Sequence, residues 1–223
     1  MFNNEKLGGK NVTTIQLILT VLAVTALLIS NVITSKQVLL PFNITMTGAV
    51  FIFPITYILS DLFSEVYGYK YSRFVCYLSF VMNTLMVIMF SLVIVTPAPG
   101  YWTGQDAFQT VLGSTPRVLL ASSLAFVVGG WADDYTFLKM KEKYPNSTKG
   151  FGVRAIASSV IGELVDSLIF LPIAFIGLMP LQTLVVMTIT QVFIKTGYEI
   201  IILPITKKVV KWVKKIEGDV DYE

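Results

Sequence analysis

Apolar residues run through this chain in stretches long enough to cross a bilayer, and this constrains the fold more than any motif. The runs cover 12–30, 45–62, 74–95, 117–132, 155–178 and 181–205. A spanning helix needs about 20 mostly apolar residues, and a helix satisfies its own backbone hydrogen bonds inside lipid. Hydrophobic residues make up 54% of the chain, charged residues only 14%, and the mean hydropathy is +0.71. These values place the chain in the membrane class. The expected fold is an all-α integral membrane protein with six transmembrane helices in one bundle. With no long polar linker, residues 1–223 read as a single domain.

Polar Met1–Asn11 followed by the first run imitates a signal peptide, but the apolar part is long and more membrane sequence follows, so it reads as a retained span. Charge sets the expected orientation. Of the 17 lysines and arginines, Lys36 and Arg117 fall on outer segments and Lys195 inside a span. All the others, including the tail Lys207, Lys208, Lys211, Lys214 and Lys215, fall on inner segments. The positive-inside rule then puts both termini in the cytoplasm. The basic tail can also touch anionic lipid.

Histidine is absent and Cys76 is the lone cysteine. That excludes zinc sites, Cys/His nucleophile pairs and Ser-His-Asp triads, so no catalytic residue, metal or cofactor is expected. A net charge of +3 is too small to imply a nucleic acid partner.

Charges inside the spans are the informative exceptions. Glu163 and Asp166 lie at i and i+3 in an otherwise apolar run, on one helix face. A charged residue at the centre of a span costs roughly 2.5–3.5 kcal/mol on insertion scales, so such a stripe points into protein and reads as a binding site. The bland reading is an acid pair that locks neighbouring helices through a buried Lys or Arg. The sixth run carries Gln191, Lys195 and Glu199, and Lys195 pairs either with Glu199 or with the acids of the fifth run. Asp61 follows the second run, with Glu65 one turn on, interfacial tyrosines, Gly68 as a helix stop and Arg73 beyond. Glu65 and Arg73 read equally well as solvated charges. Asn83 lies in a scaffold-like third run, Asp106–Leu112 reads as a surface helix, Arg117 opens the fourth run and Asp133 closes it. Projected along the spans, Glu163, Asp166 and Lys195 fall in the inner half to centre of the membrane and Asp61, Glu65, Asp133 and Glu199 nearer its inner surface, so the charges gather at one depth across four helices. Pro54 lies outward of Asp61 and Pro172 outward of Asp166, a trace of a three-plus-three inverted repeat.

The stretches FPITYILSDLFSEVYGYKYSR, Gly130-Trp131-Ala132-Asp133, GELVDSLIFLPIAF and Lys195-Thr-Gly-Tyr-Glu199, with Arg117, resemble the queuosine precursor transporter family, also grouped as vitamin uptake transporters. The resemblance runs from the second span to the sixth. It implies an inner-membrane importer of 7-deazaguanine bases such as 7-cyano-7-deazaguanine, its 7-aminomethyl relative or queuine, for tRNA modification. Asp61, Glu65, Gly68, Arg73, Arg117, Asp133, Glu163, Asp166 and Lys195 fall on its pattern. The substrate-binding candidates are Glu163, Asp166, Lys195, Asp61, Asp133, Arg117, Gln191 and Asn83; Glu65, Arg73, Glu199, Pro54 and Pro172 are structural or gating candidates. The expected partners are the small-molecule base, the lipid bilayer and, through small-xxx-small contacts such as Ser158 to Gly162, a second copy in a homodimer. No ATPase is obligatory. One alternative is the substrate-binding membrane subunit of a multi-component vitamin importer, which would need a partner because the chain has no GxxxxGK[ST] loop. An intramembrane enzyme is another, although the acids lack His companions and Asp166 has no GxGD-like signature.

Overall fold

The computed structural model describes residues 6–7, 10–41, 44–143 and 148–217. Two short strands, β1 (Lys6–Leu7) and β2 (Lys10–Asn11), precede helix α1 (Thr14–Ile33) and a hairpin of β3 (Gln37–Leu40) and β4 (Ile44–Thr47). The helices α2 (Phe53–Leu62), α3 (Gly68–Val95), α4 (Gln105–Leu112), α5 (Thr115–Lys143), α6 (Thr148–Phe175) and α7 (Leu181–Glu217) follow. Among the described residues, four helical stretches are long and apolar enough to cross a membrane: Thr14–Ile33, Lys70–Val95, Gln105–Ala132 and Leu181–Ile202. The protein is therefore mostly helical and multi-pass. α6 has the length of a span, 28 residues, and carries Glu163 and Asp166.

The run at 45–62, expected as one helix, is built differently. Its start is strand β4, paired with β3 from Gln37↔Thr47 to Leu40↔Ile44, then a 3-10 turn at Gly48–Phe51 and then α2. Pro54 lies in the first turn of α2 rather than within a long helix. Proline is tolerated there because a first-turn N–H has no intrahelical partner to lose. Ten residues of helix are about 15 Å long, half the hydrocarbon thickness. A π-helical turn, Phe63–Tyr67, follows and stops at Gly68, whose φ of 81° is the left-handed conformation that glycine adopts without strain. Gly68 ends one element as expected, and it also starts α3, so Lys70 and Arg73 stand in that helix's first turns rather than in a loop.

The chain divides into two compact units, one holding residues 1–34, 48–102 and 198–223, the other 35–47 and 103–197. In the first, α1 and α3 lie side by side. The Thr13 hydroxyl caps α1 by accepting from the Gln16 amide at 3.0 Å. Leu59, Leu62, Phe63, Tyr67, Val75, Val210 and Val213 form its buried core, backed by Ile15, Leu19 and Ala23. Thr20 and Tyr71 join α1 to α3 through a 2.8 Å hydroxyl contact. The basic tail, expected beyond the last span, is the helical continuation of α7, with Ile202, Thr206, Val210, Val213 and Glu217 buried along one face.

In the second unit α5 and α6 run antiparallel along each other. Their contact relies on small residues: Ala121, Ala125 and Gly129 recur every fourth position on α5, where a missing or minimal side chain lets two backbones approach. Ala121, Leu171, Ala174 and Phe175 join Leu184 and Met187 of α7 in a second core. The α6–α7 turn is tight. Gly177 has φ 81°, Leu178 N–H donates to Phe175 O at 2.9 Å, and Pro180 leads into α7.

Candidate functional site

The site stands in the second unit, on α6 and the first half of α7. Spacing on α6 places Glu163, Asp166 and Ser167 on one face; spacing on α7 does the same for Gln191 and Lys195, one turn apart. Lys195 is buried, 7% exposed, and its Nζ lies 2.7 Å from Glu163 Oε2 and 2.7 Å from Asp166 Oδ2. One ammonium thus bridges both carboxylates. The acid side chains keep 21% and 28% of their surface exposed, so they offer further acceptor capacity outward. The triad carries two negative charges and one positive, and its net charge of −1 favours a ligand edge rich in donors.

Behind the acids the packing is close. A Cβ at Gly129 would meet Asp166 Cβ and the Gly162 carbonyl oxygen, each at 3.1 Å, so glycine at 129 lets α5 approach the backbone that carries Asp166. Ser167 and Gln191 are both fully enclosed, and neither Ser167 Oγ nor Gln191 Oε1 has a hydrogen-bond partner among the described residues. Buried polar atoms of that kind are costly to leave unmatched, so they are natural contacts for a bound polar molecule or for water. Phe170 and Phe175 pack edge to face on each other with centroids 6.4 Å apart. Phe193 points outward at 74% exposure.

The other expected site residues are distributed more widely. Arg117 donates from Nε to Ile173 O and from Nη2 to Ile176 O at 2.7 Å, capping the carbonyl end of α6 where a cation complements the helix dipole. That cap is about 10 Å along α6 from Asp166. Pro172 sits inside α6, its carbonyl accepting from Ile176 N–H at 2.9 Å. Asp61, exposed at the end of α2, belongs to the first unit, as do partly buried Arg73 and fully buried Asn83. Asn83 is completely enclosed and both its amide atoms lack a partner among the described residues. Glu65 pairs with Lys214 at 2.6 Å on the surface. The side chains of Asp133 and Glu199 lie outside the described residues. Of the charges expected to gather, the second unit brings together Glu163, Asp166 and Lys195, with Gln191 one turn away.

Two structural residues, Gly129 beside the site and Glu217 outside it in the first unit, were missed in the sequence. Gly129 was passed over because only its distance to Asp166 distinguishes it from its neighbour Gly130. Glu217 is buried, accepting from the Thr13 hydroxyl and from Tyr67 OH at 2.9 Å. Its signal was the burial period along the end of α7, obscured by five lysines.

The family model described as "Putative vitamin uptake transporter" matches residues 47–209. The chain belongs to that family. The resemblance read from the motifs is thereby borne out, and as a vitamin uptake transporter family member the protein is a multi-pass membrane transporter. A relative in Bacillus subtilis (strain 168), the "Probable queuosine precursor transporter", is 29% identical over 164 residues, covering 73% of this chain and 71% of the relative. No solved structure matches the chain. The family-matched segment includes the whole Glu163–Asp166–Lys195 triad and leaves out α1 and the last turns of α7.

Proposed function

We propose that this transporter imports 7-deazaguanine bases, the queuosine precursors, across the bacterial cytoplasmic membrane for use in tRNA modification. The observation that carries the reading is the Lys195 ammonium held between two partly exposed carboxylates inside the family-matched helices. A 7-deazaguanine presents N1–H and its 2-amino group side by side with O6 next to them. A carboxylate accepts the two donors together, and an ammonium donates to O6. Asp166 or Glu163 takes the first role and Lys195 or Gln191 the second. The relative's name supports the same substrate class. In this reading the base enters along the α6–α7 face, and the chain works without an ATPase partner.

Uptake of labelled 7-deazaguanine bases tests it, in cells that neither make nor import them. The wild-type chain is compared with Asp166→Asn and Glu163→Gln at matched membrane expression. Wild-type uptake that falls at least tenfold in either variant supports the site. A well-expressed wild-type chain that takes up none of these bases refutes the autonomous importer and directs the search to a partner subunit by copurification.

A further inference from the structure

The end of α7 divides into three sectors when its residues are projected at about 100° each. The first is buried: Thr206, Val210, Val213 and Glu217 pack into the first unit. Glu217 meets Thr13, the N-cap of α1, while Val210 and Val213 share a core with Ile15 and Leu19. Residues 206–217 therefore run beside the opening turns of α1, a helix long and apolar enough to cross a membrane. The second sector, an arc of about 120°, is cationic and exposed: Lys207, Lys208, Lys211, Lys214 and Lys215. Among the described residues only Lys214 of these meets an acid, Glu65. The third sector adjoins the lysines and is apolar yet exposed, with Ile205, Trp212 and Ile216.

A topology signal needs lysines but no order among them. Here the cations share one arc and border an exposed tryptophan and two isoleucines, which is the pattern of a helix lying against a headgroup layer. From this arrangement we infer that residues 205–216 form a binding face for anionic phospholipid, the four lysines not paired to Glu65 meeting headgroup phosphates and Trp212 seated at the acyl boundary. Charge complementarity selects the occupant. A zwitterionic headgroup carries no net charge to match the arc, whereas each lysine near an anionic surface is worth about fivefold in local enrichment, lessened by salt.

The full chain in nanodiscs tests this. With Trp102→Phe and Trp131→Phe, Trp212 is the remaining tryptophan, and its quenching by brominated phosphatidylglycerol is compared with that by brominated phosphatidylcholine at equal mole fraction. Several-fold stronger quenching by the anionic lipid is expected, lost at high salt and in Lys207→Gln/Lys208→Gln/Lys211→Gln/Lys215→Gln, and kept when the same four become Arg. Equal quenching by the two lipids in the wild-type lysine background would overturn the inference, and it needs no variant of the arc to fold. Trp212 shielded from both lipids in a particle of dimer mass would also overturn it, placing a second copy on this face.

Discussion

Replacing Lys195 by Met would strand two carboxylates one turn apart on α6 without their shared cation. Each 2.7 Å contact represents about 6 kcal/mol of gross attraction at an effective dielectric constant near 20. Drying the lysine and the acids offsets most of it, and truncating one partner of a buried pair typically costs about 3–5 kcal/mol. The acids are partly exposed, so the lower end, about 3 kcal/mol, is expected here. For a chain of this length that lowers Tm by on the order of 6–12 °C. The assay is thermal unfolding of purified protein in nanodiscs, with a second arm that neutralises all three groups: Lys195→Met with Glu163→Gln and Asp166→Asn. The neutral triple variant keeps similar volume without stranded charge, so it should recover to within about 1 kcal/mol of wild type and still transport nothing. Two results would refute the reasoning. A loss under about 1 kcal/mol for Lys195→Met would mean that the lysine contributes no more than a surface pair does. A triple variant as unstable as Lys195→Met would mean that lost packing, not unpaired charge, sets the cost.

Neighbouring glycines should respond in opposite directions. Gly129→Ala forces α5 away from Asp166 and Gly162, with a steric cost of about 1–3 kcal/mol and reduced uptake, whereas Gly130→Ala meets nothing within 4 Å and gains up to about 1 kcal/mol of helix propensity. Unfolding curves and uptake of the two variants side by side decide this, and equal responses would contradict the close approach. Arg117→Met should lower stability by about 1.5–3 kcal/mol, because the Ile173 and Ile176 carbonyls lose a charged donor. Calorimetric affinity of the folded variant for a 7-deazaguanine should stay as in wild type; a tenfold weaker affinity at unchanged stability would bring Arg117 into the substrate site.

Much of the helical content is legible in the residues because a lipid environment leaves few solutions for a long apolar run. α1, α3 and the first part of α7 follow their runs closely. The second run reads the same way by composition, yet becomes strand, 3-10 turn and short helix. Hydropathy counts how apolar a stretch is and carries no information about which backbone partner it will find. Pro54 marks a helix start as readily as a break, and β3 was needed to turn Ile44–Thr47 into a strand.

The candidate site divides in the same manner. Local spacing by itself determined that Glu163 and Asp166 share a face, that Lys195 is an intramembrane cation and that the chain is a membrane protein, because helical period and the cost of charge in lipid act within one segment. Only the tertiary structure decided that Lys195 bridges the two acids, that Arg117 caps α6, that Gly129 admits α5 to Asp166 and that Glu217 is buried at the N-cap of α1. Those outcomes depend on which turns of different helices come to the same level, and that register is set by the fit of small and large side chains along whole helix faces.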